Sequence, residues 1–314
     1  MPNNDVSPTP GTPRVLLTGA TGYVGSRLLE RLEHEDVRVR CLTRHPERLA
    51  EDVAASTEVC GGDVLEPDSL GPALEDVDTA YYLIHLMAGG GDFREQDRRA
   101  AENFAAAARA AGVRRIIYMG GLGDDSDGSL SPHLRSRQEV GEILRDSGVQ
   151  TIEFRASVVI GQGSLSFDLI RSLTNRLPVM LCPRWLATAT QPIAIGDVLE
   201  YLLEARTVSL EGSRVFEIGS SDVVTYGELI KCYARLRGLR RYLISVPLLT
   251  PYLSSLWLGL VTPTSAKVGR HLIEGLKNPT IVKDPSAREA FSVRPMGVEA
   301  AMRQALENDD APAA

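Results

Sequence analysis

Cysteine is scarce and unpatterned in this 314-residue chain: Cys41, Cys60, Cys182 and Cys232 form no C-x-x-C pair, and the five histidines form no H-E-x-x-H. That spacing excludes a disulfide framework and a zinc centre, so no metal site is expected. Free thiols in apolar runs behave as small hydrophobes and suit a reducing compartment, which implies a cytoplasmic location. Positive charge is also in short supply, with 34 Lys and Arg against 41 Asp and Glu and a formal net charge of -7. Binding to a phosphate backbone rests on clustered cations, so nucleic acid is not an expected partner. The pairs Arg98-Arg99, Arg114-Arg115 and Arg240-Arg241 lie mostly among acidic residues.

The start of the chain has no secretory apolar stretch. Residues 1–13, MPNNDVSPTPGTP, carry four prolines and read as a disordered leader, and residues 309–314 as a disordered tail. One stretch lacks charge altogether, residues 242–266. It is long enough to reach across a bilayer core of about 30 Å. Pro247, Pro251 and Pro263 interrupt it, which favours a buried helix or a lid over a second lobe. A peripheral membrane or protein contact through an apolar patch with Trp257 at its edge is the other reading.

What is present is an alternation of short β-branched runs with helical patterns. Strands are predicted at Val15–Thr18, Val37–Leu42, Thr57–Cys60, Thr79–Ile84, Arg115–Met119 and Gln150–Phe154. Between them Tyr23–Leu32 puts Val24, Leu28, Leu29 and Leu32 on one face. Phe93–Ala111 is Ala-rich and stopped by Gly112, and a helix from Pro132 stops at Gly148. The fold class is α/β: a Rossmann-type doubly wound parallel sheet over residues 14–160, with a smaller C-terminal α/β lobe over 161–308 interleaved with it. In that lobe Val215–Ile218 reads as a strand and Tyr226–Leu236 as a helix capped by Thr225 and Glu228.

The strongest local signal is RVLLTGATGYVGSRLLERL. A buried strand runs into Gly19, Ala20, Thr21, Gly22, Tyr23, Val24 and Gly25, and then into an amphipathic helix. One glycine makes the tight turn, one lets the backbone approach a pyrophosphate, and one allows helix to pack on strand. The helix start then offers N–H groups and partial positive charge to the anion. About 20 residues on, an acid would bind the ribose 2′-hydroxyl of NAD, but the second strand ends in Thr43-Arg44. Arginine there receives a 2′-phosphate, so the cofactor expected is NADP, with NADPH preferred over NADH. Arg48 is either an assistant one turn on or a solvated helix charge. Gly62, Asp63 and Val64 follow the third strand, as an adenine-edge contact or as turn chemistry.

GATGYVG, the Gly62-Asp63-Val64 segment, Asn103 and the GVRRIIYM strand together resemble the atypical and extended short-chain dehydrogenase/reductase superfamily. Within it the chain is most similar to NmrA-like proteins and to the NAD(P)-binding accessory subunit of respiratory complex I. The resemblance implies a dinucleotide site lined further by Leu83, His85, Met119 and Gly120; His85, at the end of the fourth strand, is also either a second proton-transfer candidate or a hydrogen-bonded strand-end histidine. It also implies a catalytic Tyr-x-x-x-Lys preceded by serine, and here the sequence departs. SPHLRSRQEVGEIL puts His133 at the tyrosine position and Arg137 at the lysine position, with Gly120 and Gly121 where the serines stand. Histidine titrates near neutrality and arginine holds ribose hydroxyls, so a His133–Arg137 pair is chemically able to act; a plain helix flank is the alternative. The resemblance further places Arg155–Gly161 beneath the nicotinamide and Ser164, Ser166 and Phe167 at a substrate pocket.

Three functions follow as expectations. The first is an NADPH-dependent oxidoreductase for a small apolar carbonyl or quinone-like compound. The second is a non-catalytic dinucleotide-binding regulator or accessory subunit. The third, weaker because it leans on the missing tyrosine, is a sugar-nucleotide epimerase or dehydratase.

Overall fold

The computed structural model describes residues 11–86, 92–124, 126, 128, 130–246 and 276–310. In chain order the elements begin with β1 (Arg14–Thr18), α1 (Tyr23–Leu32), β2 (Arg38–Thr43), α2 (Pro46–Leu49), β3 (Glu58–Gly61), α3 (Leu70–Leu74) and β4 (Thr79–Tyr82). They continue through α4 (Phe93–Ala110), β5 (Arg115–Gly121), α5 (Pro132–Asp146), β6 (Gln150–Ala156), β7 (Val159–Ile160), α6 (Leu165–Arg176) and β8 (Val179–Cys182). Then come β9 (Ala189–Thr190), β10 (Ile193–Ala194), α7 (Ile195–Glu204), β11 (Arg214–Ile218), β12 (Val224–Thr225), α8 (Tyr226–Leu236), β13 (Tyr242–Ser245), α9 (Ala287–Ala290) and α10 (Val298–Asp310).

Seven strands make the main sheet in the order β11-β6-β5-β4-β1-β2-β3, so the predicted doubly wound α/β architecture is the one observed. β1 runs parallel to β2 on one side and to β4 on the other, with Val15 level with Val39 and Thr79. The chain leaves β1 toward β2 and β3 and returns to the other side as β4. The strand order therefore reverses between β1 and β4, and their carboxyl ends flank the crevice where such sheets receive ligands. Central strands covered on both faces read as continuous apolar runs, and in β1 and β4 Val15–Thr18 and Thr79–Tyr82 are buried without alternation.

The chain divides into two compact units. The first comprises the chain up to Gly120, Gln138–Phe154 and Leu199–Phe216. Its aromatic centre joins Tyr82 to Phe104 and Tyr118 at ring-centroid distances of 4.9 and 6.1 Å. The late stretch is tied in by polar groups. Arg115, only 3% exposed, donates to the carbonyls of Ala205, Arg206 and Val208, and the Tyr81 hydroxyl donates to Leu202 O at 2.9 Å. Burial pushes the Tyr81 phenol well above its ordinary pKa, which keeps it a donor.

The second unit comprises Gly121–Arg137, Arg155–Val198 and the chain from Glu217 on. Its core gathers Phe167, Leu173, Met180, Leu229, Tyr233 and Met302 from α6, β8, α8 and α10. The expected cap of α8 is present: Thr225 Oγ1 accepts from Glu228 N, and Glu228 accepts from Thr225 N at 2.7 Å. Residues 242–245 of the uncharged stretch are strand β13, paired in parallel with β8; residues 247–266 of it lie outside the described residues. The β8–β13 pair leaves Val179, Leu181, Tyr242 and Ile244 about half exposed. No helix among the described residues is long and apolar enough to cross a membrane.

Candidate dinucleotide site

The turn from β1 into α1 is built on backbone geometry that only glycine satisfies at two points. Gly19 has φ +73°, and a Cβ on it would stand 2.7 Å from Leu83 O. A Cβ on Gly25 would stand 2.0 Å from Gly19 O, so the first turn of α1 closes directly onto the loop. Gly22 donates its N–H to Gly19 O at 2.9 Å and is the N-cap of α1, where no side chain caps the helix. The cradle that a Cβ would fill, above an uncapped helix N-terminus, fits the diphosphate of a dinucleotide.

Thr18 sets the opposing wall. Its Oγ1 donates to Tyr81 O at 2.9 Å and accepts from Leu83 N at 3.2 Å, clamping the end of β4 against the glycine loop. β4 consequently stops at Tyr82, two residues before the predicted end, and Leu83 to Leu86 turn along the cleft instead. The cleft is open to solvent.

Of the expected cofactor residues, Gly19, Thr21, Gly22, Arg44, Asp63, Val64, Leu83 and His85 line this one cleft. Tyr23, Val24 and Gly25 form the first turn of α1 behind it. Met119 and Gly120 are buried at the end of β5 and are not on its wall. Arg44 is exposed at the mouth and has no carboxylate partner among the described residues. Arg48 is exposed on α2 and does not line the cleft. Gly62 sits under Leu42, where a Cβ would meet Cδ1 at 2.7 Å. Asp63 is fixed by its neighbours: Ser69 Oγ accepts from its N–H at 3.0 Å, and its Oδ1 accepts from Leu65 N at 2.9 Å. Asn103 reaches from α4 to donate to Val64 O at 2.9 Å, holding this segment to the helix.

Asp97 is the residue that sequence reasoning passed over. It is 3% exposed, its Oδ2 lies 3.0 Å from His85 Nδ1, and its Oδ1 accepts from Leu86 N at 2.9 Å. The signal was available: α4 buries Asp97, Ala100, Ala101, Phe104, Ala105 and Ala108, so an aspartate occupies the apolar stripe. A carboxylate in that position demands partners, and His85 and Leu86 supply them.

The expected catalytic pair lies on α5 in the second unit, both residues half-buried and one turn apart. The two glycines at the serine positions are tightly enclosed. A Cβ on Gly120 would meet Glu153 Oε1 at 3.0 Å, and one on Gly121 would meet Leu134 Cδ2 at 2.9 Å. Of the three residues expected at a substrate pocket, Ser164 donates to Val159 O at 2.7 Å and Phe167 packs edge-on against Tyr233. Ser166 lines a small apolar cavity of the second unit.

A reversing parallel sheet, an uncapped glycine-rich helix start at its switch point and an exposed arginine at the next strand end define a Rossmann dinucleotide-binding protein. Residues 19–159 match the NAD(P)H-binding family model. The chain is similar to the (4-alkanoyl-5-oxo-2,5-dihydrofuran-3-yl)methyl phosphate reductase of Streptomyces griseus, 28% identical over 71% of this chain and 74% of that protein. It is similar also to the photosystem II assembly factor Ycf39 of Cyanophora paradoxa, 23% identical over 74% of this chain and 72% of that one. Among solved structures, the Citrobacter sp. triphenylmethane reductase complexed with NADP(H) superposes with a TM-score of 0.73 at 16% identity, over 93% of this chain and 99% of that one. These likenesses agree with the short-chain dehydrogenase/reductase resemblance drawn from the motifs.

Proposed function

We propose that this chain is an NADPH-dependent oxidoreductase of the cytoplasm acting on a small apolar carbonyl or quinone-like compound. The observation that carries the cofactor choice is Arg44. It lines the cleft where β2 ends, no carboxylate neutralises it among the described residues, and a 2′-phosphate is the dianion that suits it. Bound NADPH supplies hydride. Gly19, Gly22 and the start of α1 hold the diphosphate, Asp63 and Val64 the adenine edge, and Leu83 to Leu86 the remaining wall. His133 serves as proton donor to the substrate oxygen. Arg137, one turn on, supplies positive charge that stabilises developing negative charge there. The Streptomyces griseus reductase, related over most of both chains, supports reduction as the reaction class.

A second reading, a dinucleotide-binding accessory protein without turnover, draws on a specific feature. Gly120 and Gly121 lack the serine hydroxyl that assists the usual tyrosine, and an assembly factor is among the relatives. Purified protein with NADPH and a panel of aryl ketones and quinones decides between them. The oxidoreductase reading expects consumption of NADPH that falls at least about a hundredfold in His133→Ala while NADPH affinity is kept. Tight NADPH binding with no turnover across the panel establishes the accessory role instead.

A further inference from the structure

Strand β8 alternates as a half-buried strand does, with Met180 and Cys182 in the core of the second unit and Val179 and Leu181 on the outer face. Its partner β13 runs in parallel register, Tyr242 level with Val179 and Ile244 level with Leu181, so the four outer residues form one two-by-two patch. Each is between 48% and 64% exposed. The water-facing side of a half-buried sheet is normally polar, whereas this one carries three aliphatic side chains and a tyrosine.

Arginine rims the patch at both ends. Arg241, at the start of β13, donates through Nε to Thr174 O and through Nη2 to Asn175 O, which sets Arg240 and Arg241 against the end of α6, where Arg176 stands. Arg184 follows the carboxyl end of β8. Arg176, Arg184 and Arg240 are all exposed. The acids that would neutralise such a rim are missing from both segments. The chain holds 41 Asp and Glu in 314 residues, about one in eight, yet none occurs over residues 169–196, which contain β8, or over 229–273, which contain β13. Arg235, farther back on α8, is paired with Glu299 of α10. A concentration of positive charge in a chain of net charge -7 selects an anionic partner.

We propose that the outer face of the β8–β13 pair, with its arginine rim, docks this protein peripherally on the anionic surface of a lipid bilayer. Anionic headgroups receive the arginines, the acyl boundary receives Val179, Leu181 and Ile244, and Tyr242 sits at headgroup depth with an apolar ring and a wet hydroxyl. A nucleic acid would meet the same cations but leave the aliphatic side chains in water. The docking does not depend on the oxidoreductase reading, and the dinucleotide cleft belongs to the other unit.

The test is sedimentation of the full chain with vesicles of phosphatidylcholine alone and of phosphatidylcholine with about 30% phosphatidylglycerol, which supplies the negative surface potential. The wild type is expected to partition onto the anionic vesicles at least about tenfold more strongly than onto the neutral ones, and less strongly as salt rises from about 0.05 to about 0.5 M. Arg184→Gln with Arg240→Gln removes two rim cations and lowers that partition at least about tenfold. Leu181→Ser with Ile244→Ser keeps the rim, removes the aliphatic contact and lowers it as well. Circular dichroism melts report whether each double variant folds, and the arginine pair decides alone if the apolar pair does not. Equal partition onto both vesicle types, no partition onto either, or wild-type partition of Arg184→Gln with Arg240→Gln overturns the proposal. A wild-type dimer that binds no vesicle and that Leu181→Ser with Ile244→Ser makes monomeric gives the face to a second copy of the chain, and overturns the lipid assignment too.

Discussion

Asp97 reaches from the apolar stripe of α4 to within 3.0 Å of His85 Nδ1, and its other oxygen accepts from the backbone N–H of Leu86. One buried carboxylate thus fixes both a side chain and a backbone segment of the dinucleotide cleft. Asp97→Ala leaves the Leu86 N–H without this acceptor and releases His85. Stability is expected to fall by about 1–3 kcal/mol in chemical denaturation, the cost of an unsatisfied buried group. NADPH affinity should weaken at the same time, and unchanged values for both would show that the contact organises nothing.

Arg44 controls cofactor choice if its guanidinium meets the 2′-phosphate. Arg44→Ala removes a charge-assisted contact of about 1.5–3 kcal/mol, which raises the dissociation constant for NADPH tenfold or more. NADH, which lacks that phosphate, should bind the variant and the wild type alike. Equal losses for the two nucleotides, measured by calorimetry, would remove Arg44 from this role.

Gly25→Ala tests the loop itself. The added Cβ would lie 2.0 Å from Gly19 O, so the first turn of α1 must move away from the glycine loop. The expected result is a loss of about 1–3 kcal/mol in stability together with loss of detectable affinity for both NADH and NADPH. A variant that melts and binds like the wild type would mean that the close approach of helix and loop is dispensable.

Acid sensitivity should report the strand end that carries Asp78. Hydrogen bonds from Arg114, opposed by partial burial, hold the Asp78 carboxyl below the usual carboxylate range. Because the folded pKa lies below the unfolded one, the stabilisation is fully present above the unfolded value of about 3.9 and is lost as pH falls through the folded value. The pair is half open to water, so its worth is under about 1 kcal/mol. Denaturation curves should show Asp78→Asn less stable than wild type at neutral pH, with the gap closing as the medium becomes strongly acidic. A gap that widens on acidification contradicts the sign.

The sheet was legible because its strands are buried on both faces and its glycines sit where backbone geometry forbids a Cβ; Gly19 and Gly25 needed only their spacing and the flanking apolar runs. Arg44 was legible for the same reason, standing at a strand end at a fixed distance from the loop. Asp97 was not, because its meaning depends on α4 passing beside the end of β4, a contact between segments that sequence order does not display. The shortening of β4 likewise follows from Thr18 capturing Leu83 N, an interaction across 65 positions. The lack of charge over residues 242–266 points to a helix or lid, but pairing with β8 makes residues 242–245 a strand.

The account stands on the β1–α1 loop receiving the diphosphate of a nicotinamide dinucleotide. Isothermal calorimetry of the wild-type protein with NADPH and with NADH measures this most directly. Saturable one-to-one binding of both, tighter for NADPH, is the predicted outcome. The absence of binding heat with either nucleotide, or saturable binding that Gly25→Ala leaves untouched, contradicts it.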